Sequence, residues 1–452
     1  MAVCNLASFK AYDIRGKVPD ELNPELAAQI GRSFAAVYGL KKVVVGCDIR
    51  QSSEVLVAAL SEGLLTMGAD VIDLGLCGTE EIYHAAFSME AAGVDGGVIV
   101  TASHNPADYN GMKLVVKGAR PVTGESGLKK MADLIASGRL PGPAGTPGRL
   151  VRHDNKENFV RHLLGYIDRE TLKPLKIVVN SGNGCAGAII DRLEKHLPFQ
   201  FVKIHHEPDG TFPHGVPNPL LPEKRAETAR AVLEHKADMG IAWDGDFDRC
   251  FFWDEDGRFI DGYYLVGLLA REMLKKDPGA KILYDPRLTW NTEEQVKKAG
   301  GIPIMTRTGH AFIKERMRSE NAVYGGEMSA HHYFREFGYC DSGMIPWLLV
   351  SSLLSREGGK LSTMVADRMA AFPVSGEINS KVADPDGVIA GILQKYRDGE
   401  KDYTDGLSVA YRDYRFNIRK SNTEPLLRLN VESRGDVALM QEKTEELLGL
   451  IR

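Results

Sequence analysis

Three short polar segments gather the reactive side chains of this 452-residue chain. In Asp244-Gly-Asp-Phe-Asp-Arg249, carboxylates alternate along the chain. Alternation puts all three on one face of an extended strand, with neighbours roughly 6.6 Å apart. Magnesium bonds oxygen at about 2.0–2.1 Å, so Asp244, Asp246 and Asp248 can share one ion only if the segment curls. Gly245 makes a curl easy. Three packed anions repel each other unless a cation binds, which favours a divalent metal over a solvated acidic turn. An EF-hand is excluded. Glu255 does fall at that motif's last position, but Arg249 stands where it requires glycine, and the apolar run Cys250–Trp253 crosses the loop. Arg249 suits a phosphate ligand, or an ion pair with Asp246.

The segment Thr101-Ala-Ser-His-Asn-Pro106 displays Ser103, followed by His104. Pro106 stiffens the loop, and its amides can cradle an anion. A hydroxyl displayed there suits a nucleophile or a phosphorylated serine; taken alone, the segment reads first as a polar-tipped ST-turn. In Gly325-Gly-Glu-Met-Ser-Ala-His331, period two turns Glu327, Ser329 and His331 the same way and His332 into packing. A carboxylate, a hydroxyl and an imidazole on one face suit the hydroxyls of a sugar. Thr308-Gly-His310 precedes a helix expected over Ala311–Arg318, and His310 either touches an anion or caps that helix. Near the end, Arg419-Lys-Ser-Asn-Thr423, with Arg428 beyond, offers what a phosphate needs, or an exposed turn. Gly182-Asn-Gly184-Cys-Ala-Gly187 matches a dinucleotide fingerprint, with Glu207 at the distance of its acidic partner. The match is short, and a tight strand-to-helix turn is the favoured explanation.

The elements that must position these residues recur along the chain. Lys42–Gly46, Asp70–Leu74 and Gly96–Val100 read as short strands. Val55 to Met67 reads as a helix with Val55, Leu56, Ala59, Leu60, Leu64 and Met67 on one face. Lys176–Asn180 opens a second such unit and Lys281–Asp285 a third, each ending in a strand that runs into one of the three polar loops. Ligands of open α/β sheets bind at the carboxyl ends of strands. The last part differs: Tyr403–Arg415, Phe416–Arg419 and Leu426–Glu432 suggest strands, and Val437–Leu450 an amphipathic helix. The expected fold class is α/β, with three related α/β domains on mixed sheets and a smaller C-terminal α+β domain. Boundaries are placed at 1–148, 149–254, 255–368 and 369–452, with the Pro- and Gly-rich stretch Gly138–Gly148 as the first linker.

Composition excludes several classes. Hydrophobic residues make up 43% and charged residues 26%, which suits a folded globular chain. Lys plus Arg number 56 against 61 acidic residues, a net charge of -5, so no basic excess points to nucleic acid or a membrane surface. No secretory signal opens the chain, and its longest apolar run, Met344–Leu354, is far short of a membrane span. Six scattered cysteines without a C-x-x-C pair suit a reducing cytosol, so a cytoplasmic protein is expected.

Together these segments resemble the α-D-phosphohexomutase family: T-A-S-H-N-P, D-G-D-F-D-R, G-E-M-S-A-H and R-K-S-N-T-E-P stand in that family's order, and Ala11–Gly16 matches its A-Y-D-I-R-G. The resemblance spans essentially the whole chain. It implies an active-site cleft between all four domains and an enzyme, an intramolecular phosphotransferase, that moves phosphate between the 1- and 6-positions of a hexose through a phosphoserine and a hexose 1,6-bisphosphate. Met328 and the overall length look most like the bacterial branch that acts on mannose phosphates for GDP-mannose synthesis; glucose phosphates or both sugars are the alternative, and a phosphatase or a sugar-phosphate sensor lies further off. The resemblance makes Ser103 the phosphoserine. It gives magnesium to Asp244, Asp246, Asp248 and Ser103, and sugar hydroxyls to Glu327, Ser329 and His331. Arg419, Ser421, Asn422 and Thr423 take the non-reacting phosphate. Tyr12, Arg15, His104, Lys113, Arg249 and His310 line the site. One departure stands out: the family's third-domain lysine has no counterpart near Leu283–Arg287, and Arg287 takes its place. Hexose 1,6-bisphosphate is the implied activator, hexose phosphates are the implied partners, and a monomer or weak dimer is expected.

Overall fold

The computed structural model describes residues 6–420 and 426–452, so the expected phosphate ligands Ser421, Asn422 and Thr423 lie outside the described residues. The chain divides into two compact units. One runs through Phe259 and takes in Glu336–Gly358; the other comprises Ile260–Arg335 and Gly359–Arg452.

In the first unit, valine-rich runs buried on both faces make the central strands. Lys42–Cys47 lies between Asp70–Leu76 and Gly96–Val100, all parallel. Tyr109–Val116 returns antiparallel beside Gly96–Val100 and is edged by Ile14–Lys17, while Leu150–Arg152 extends the far edge. Helix Pro24–Tyr38 starts where the Asn23 side chain accepts from Leu26 N, with Pro24 preset for the first turn, and stops at Gly39 with φ +64. Its Ile30 and Phe34 join Leu56, Leu60 and Leu64 of helix Ser53–Thr66 in one core with Val43, Val45 and Val98. Truncating such a leucine to alanine costs about 2–5 kcal/mol. Val55 is 52% exposed, so it leaves the apolar face expected of it.

The pattern then repeats. Lys176–Asn180 lies between parallel Gln200–Ile204 and Met239–Trp243, and Cys250–Trp253 returns antiparallel. In the second unit Lys281–Tyr284 lies between parallel Ile302–Met305 and Tyr324–Gly326, and His332–Phe334 returns antiparallel. In all three, the first strand sits between the second and third, and a polar loop joins the third to its antiparallel return. Those loops carry Ser103, the three aspartates, and Glu327 with Ser329. The fourth domain is an antiparallel sheet in the order Ile378–Lys381, Leu426–Ser433, Tyr414–Lys420, Leu407–Ala410, Glu400–Asp402. Helices Pro385–Lys395 and Val437–Ile451 contribute Ile392, Met440 and Leu447 to its core. The single strand expected over Tyr403–Arg415 is instead two strands hinged by a turn at Tyr411–Asp413. Among the described residues, no helix is long and apolar enough to cross a membrane, and the five cysteines there are free and buried.

Candidate active site

The wholly buried strand Gly96–Val100 delivers the chain to the serine loop. Ser103 has φ +50, a left-handed backbone that is costly for a residue with a Cβ. Its neighbours hold it there. Thr101 Oγ1 accepts from Ser103 N (2.9 Å) and donates to Asp48 Oδ2 (2.7 Å). Arg50, only 2% exposed, donates to the carbonyls of Ser103 (2.9 Å), Asn105 (2.7 Å), Pro106 (2.7 Å) and Tyr109 (2.9 Å), and pairs with Asp48 at 3.3 Å. Sequence reasoning missed Arg50 and Asp48. The available signal was Cys47-Asp-Ile-Arg50 leaving a strand parallel to the one that precedes Ser103, hence at the same sheet end.

The Ser103 hydroxyl donates to Asp244 Oδ2 (2.7 Å), accepts from Arg249 Nη2 (3.3 Å) and lies 3.1 Å from His104 Nδ1. Arg249 also donates to His104 Nδ1. Burial, then the Arg249 and Arg15 cations, push the His104 imidazolium well below its usual range, so His104 is neutral at neutral pH. Arg15 reaches the same loop, donating to Asn105 Oδ1 and to Ala102 O (3.4 Å), and pairs with Asp13 at 2.6 Å. Tyr12 is half-buried in the bend just before strand Ile14–Lys17.

The aspartate loop does curl, but at another residue than expected. Phe247 has φ +48, and its N–H donates to Asp244 O (3.1 Å). Gly245 meets a different need: a Cβ there would stand 2.6 Å from Ser103 O, so only glycine lets the two loops touch backbone to backbone. One oxygen from each of Asp244, Asp246 and Asp248 lies within 4.8 Å of the others, and all three residues are buried. Arg249 pairs with Asp244 (2.8 Å) and more distantly with Asp248 (3.9 Å), rather than with Asp246. Lys113 takes Asp246 Oδ2 (2.7 Å) and Asp248 Oδ2 (2.6 Å), and Thr79 Oγ1 donates to Asp246 Oδ2 at 2.5 Å. Burial opposes ionisation of Asp246, but Lys113 and Thr79 more than offset it and hold the carboxyl well below the usual carboxylate range. Burial likewise works against the Lys113 cation, and Asp246 and Asp248 overcome it and raise the ammonium above its ordinary value. Asp246 Oδ1 is buried without a protein partner. A buried acceptor in that state is costly. An all-oxygen donor set of this charge fits a hard divalent cation.

The second unit holds its own polar cluster. Glu327 to His331 is a tight turn, not a strand. Glu327 N donates to His331 O (2.9 Å), Ala330 N donates to Glu327 O (3.0 Å), and Ala330 has φ +70. Glu327 and Ser329 therefore do not alternate along a strand as expected, yet they converge. Arg287 Nη2 lies 3.4 Å from Glu327 Oε1 and 3.1 Å from Ser329 Oγ. Asp285 grips Arg287 with both oxygens, each bond 2.9 Å, and accepts from Met328 N (3.0 Å). Arg287 thus orders this loop, which is more than a substitute for a lysine. His331 stacks on Tyr333 (ring centroids 6.0 Å apart), whereas His332 is fully buried with Nδ1 2.6 Å from Tyr324 Oη, in packing as expected. The helix runs His310–Glu320 with Gly309 at its cap position, so His310 does not cap it; His310 Nδ1 lies 3.4 Å from Lys314 Nζ.

Glu377 was not foreseen, because a lone acid between domains carries no pattern. It accepts from Arg419 (3.2 Å), Arg287 (3.4 Å) and Arg428 (3.4 Å). Burial opposes its ionisation, but Arg287, then Arg419 and Arg428, pull its carboxyl down to about 2. Arg419 also donates to Thr308 Oγ1 (3.3 Å). The glycine motif at 182–187 is a packed turn. Its amides are spent on protein acceptors: Gly182 N on Asn180 Oδ1 (2.9 Å), Asn183 N on His205 O (2.7 Å), Gly184 N on Ser181 O (2.8 Å) and Cys185 N on Gly245 O (3.4 Å). Those four amides are therefore not available to a pyrophosphate, and the turn serves instead to back the aspartate loop.

Comparison with known proteins shows the family. Models of the phosphoglucomutase/phosphomannomutase family match as α/β/α domain I over residues 6–139, domain II over 157–257, domain III over 261–372 and the C-terminal domain over 377–448. A protein described as phosphohexose mutases from Xanthomonas campestris pv. campestris is 59% identical, with 99% of each chain covered. A phosphomannomutase from Salmonella typhimurium is 57% identical at the same coverage. The solved structure of a phosphoglucomutase/phosphomannomutase family protein from Burkholderia thailandensis superposes with a TM-score of 0.85 at 33% identity, over 98% of this chain and 96% of that one. With relatives this similar along its whole length, the chain belongs to the phosphoglucomutase/phosphomannomutase family of α-D-phosphohexomutases.

Proposed function

We propose that this mutase interconverts mannose 6-phosphate and mannose 1-phosphate, and that its product feeds GDP-mannose synthesis. The observation that carries the reading is a buried serine hydroxyl, 2.7 Å from one of three clustered aspartates and beside an arginine and a neutral histidine. Phosphoryl transfer needs in-line positioning and charge neutralisation more than covalent help, and the first unit concentrates both around Ser103.

In this mechanism Ser103 carries a phosphoryl group. The free hydroxyl of the sugar phosphate attacks it, the P–Oγ bond breaks, and a hexose 1,6-bisphosphate forms. The attacking hydroxyl gives up its proton to a phosphoryl oxygen as the new P–O bond forms, while neutral His104 stands 3.1 Å from the Ser103 oxygen. The bisphosphate turns over, and its other phosphoryl returns to Ser103. Asp244, Asp246 and Asp248 would hold magnesium beside Ser103, where it would supply charge neutralisation. Arg249 adds a second positive charge, while Lys113 fixes Asp246 and Asp248. Glu327 and Ser329 read sugar hydroxyls from the turn that Arg287 orders. Arg419, with Ser421, Asn422 and Thr423, grips the non-reacting phosphate. Added hexose 1,6-bisphosphate activates the enzyme by restoring the phosphoserine.

A second reading, activity on both mannose and glucose phosphates, is favoured by the relative described as phosphohexose mutases. Phosphorus NMR tests the proposal on protein supplied with mannose 6-phosphate, magnesium and a trace of hexose 1,6-bisphosphate. Mannose 1-phosphate should grow to equilibrium. Inorganic phosphate as the main product would mark a phosphatase, and binding without turnover a sensor; either result defeats the mutase.

A further inference from the structure

The end of the second sheet's edge strand, the loop after it and the helix beyond bring together three metal-ligating side chains that phosphoryl transfer does not use. His205 follows strand Gln200–Ile204, His214 lies in the loop, and Glu227 stands in the first turn of helix Ala226–His235. One ligand atom from each lies within 4.8 Å of the other two. His205 Nε2 is 2.8 Å from Glu227 Oε2, and the His205 and His214 rings face each other at 3.6 Å, tilted by 37°.

The backbone is built to hold this arrangement. His205 has φ +46, costly for a histidine, and its carbonyl is fastened by Asn183 N at 2.7 Å. Lys224 Nζ fastens the carbonyl of His214 at 2.9 Å. Glu227 accounts for the position of His205, but it does not account for an exposed second imidazole laid upon the first.

We propose that His205, His214 and Glu227 form a site for one borderline-soft divalent metal ion of the zinc class, separate from the aspartate loop. Two imidazoles and a carboxylate, with a fourth position open to water, are a zinc donor set, whereas magnesium prefers oxygen alone. Bonds of about 2.0–2.2 Å put tetrahedral ligand atoms roughly 3.3–3.5 Å apart; His205 Nε2 and Glu227 Oε2, 2.8 Å apart, would open slightly and the two stacked rings would part, an adjustment that the exposed His214 and Glu227 side chains can make. The ion ties the loop to the helix. The other side of that loop faces the serine loop's support: the Phe212 ring lies 5.5 Å from the Arg50 guanidinium, and a Cβ on Gly210 would stand 2.1 Å from Ile49 O. Metal binding there therefore stiffens the backing of Arg50.

The test uses the full chain, stripped with chelator, given excess magnesium and titrated with cobalt(II) as the optical probe. One saturating equivalent should appear with the intense visible bands of four-coordinate cobalt, and amide exchange across His205–Pro217 should slow. His205→Asn keeps a residue that tolerates the left-handed backbone. It and His214→Ala should each weaken binding at least about 10-fold, since even residues that only support a metal's ligands cost about 10–100-fold when changed. Asp246→Asn should leave cobalt binding as it was. Circular dichroism checks that each variant is folded, and Glu227→Gln replaces a histidine variant that is not. Cobalt that binds both histidine variants as well as the unsubstituted chain, that is lost in Asp246→Asn, or that never saturates at one equivalent overturns the proposal.

Discussion

Replacing Arg50 by lysine should cripple catalysis without touching a group that meets substrate. The guanidinium serves four carbonyls of the serine loop at 2.7–2.9 Å while paired with Asp48. A lysine ammonium has three N–H donors at a single point, and Asp48 claims one of them. Two carbonyls are then left unserved in a place where Arg50 is 2% exposed. A buried acceptor without a partner costs about 1–3 kcal/mol, so the loop loses about 2–6 kcal/mol of support. Ser103 already sits at φ +50 against its own preference, and it is the residue that this support restrains. A displacement of about 1 Å can cost about 100-fold in rate. The expected result in a coupled mutase assay is kcat lower by about 100-fold, with KM for the hexose phosphate nearly unchanged, because Arg50 makes no sugar contact in this account. An Arg50→Lys enzyme with kcat within about threefold of the unsubstituted protein, a difference of only about 0.7 kcal/mol, would refute the reasoning.

Asp246→Asn should weaken magnesium binding measured by calorimetry and collapse turnover together; loss of turnover with unchanged magnesium affinity would remove Asp246 from the metal site. Glu377 has its carboxyl pulled from the usual 4.5 to about 2, so the stability it contributes is present above about pH 4.5 and is lost as pH falls towards about 2. That contribution is about 3 kcal/mol. Chemical denaturation at pH 5 and pH 3 should show the loss in the unsubstituted chain and a weaker pH dependence in Glu377→Gln; equal pH dependence would contradict the three-arginine account. Mannose and glucose phosphates differ only at C2, and the family resemblance implies that Glu327 and Ser329 meet the C3 and C4 hydroxyls, which the two sugars share. Both sugars should therefore turn over, with a modest preference for mannose, and the N-acetylated sugar should turn over poorly. A mannose-to-glucose ratio of kcat/KM above roughly 10⁴ would require a buried C2 partner and defeat that assignment.

The repeated architecture was legible because each polar loop follows a short apolar strand, and Gly96–Val100 and Lys176–Asn180 have the bounds the sequence suggests. Ser103 and the three aspartates were legible because their chemistry is dense in a few consecutive residues. What failed was geometry set by tertiary contact. The curl of the aspartate loop sits on Phe247 because Gly245 is needed for contact with Ser103 O. Glu327 and Ser329 meet through Arg287 and a turn, not through strand alternation. Val55 has an apolar side chain but stands in solvent, since periodicity over so short a helix leaves its edge residues undecided. The carbonyls that Arg50 serves and the arginines that Glu377 accepts from lie more than 40 residues away in the chain; a shared sheet end was the one hint for Arg50, and Glu377 had none.

The central claim is that Ser103 carries the phosphate in transit. Peptide mapping by mass spectrometry after incubation with hexose 1,6-bisphosphate and magnesium tests it most directly. One phosphate should appear on the peptide containing Ser103, disappear when excess mannose 6-phosphate is added, and never form in Ser103→Ala, which should be inactive yet folded. Phosphate on any other residue, or mutase turnover persisting in Ser103→Ala within about tenfold of the unsubstituted enzyme, about 1.4 kcal/mol of barrier, would contradict the account.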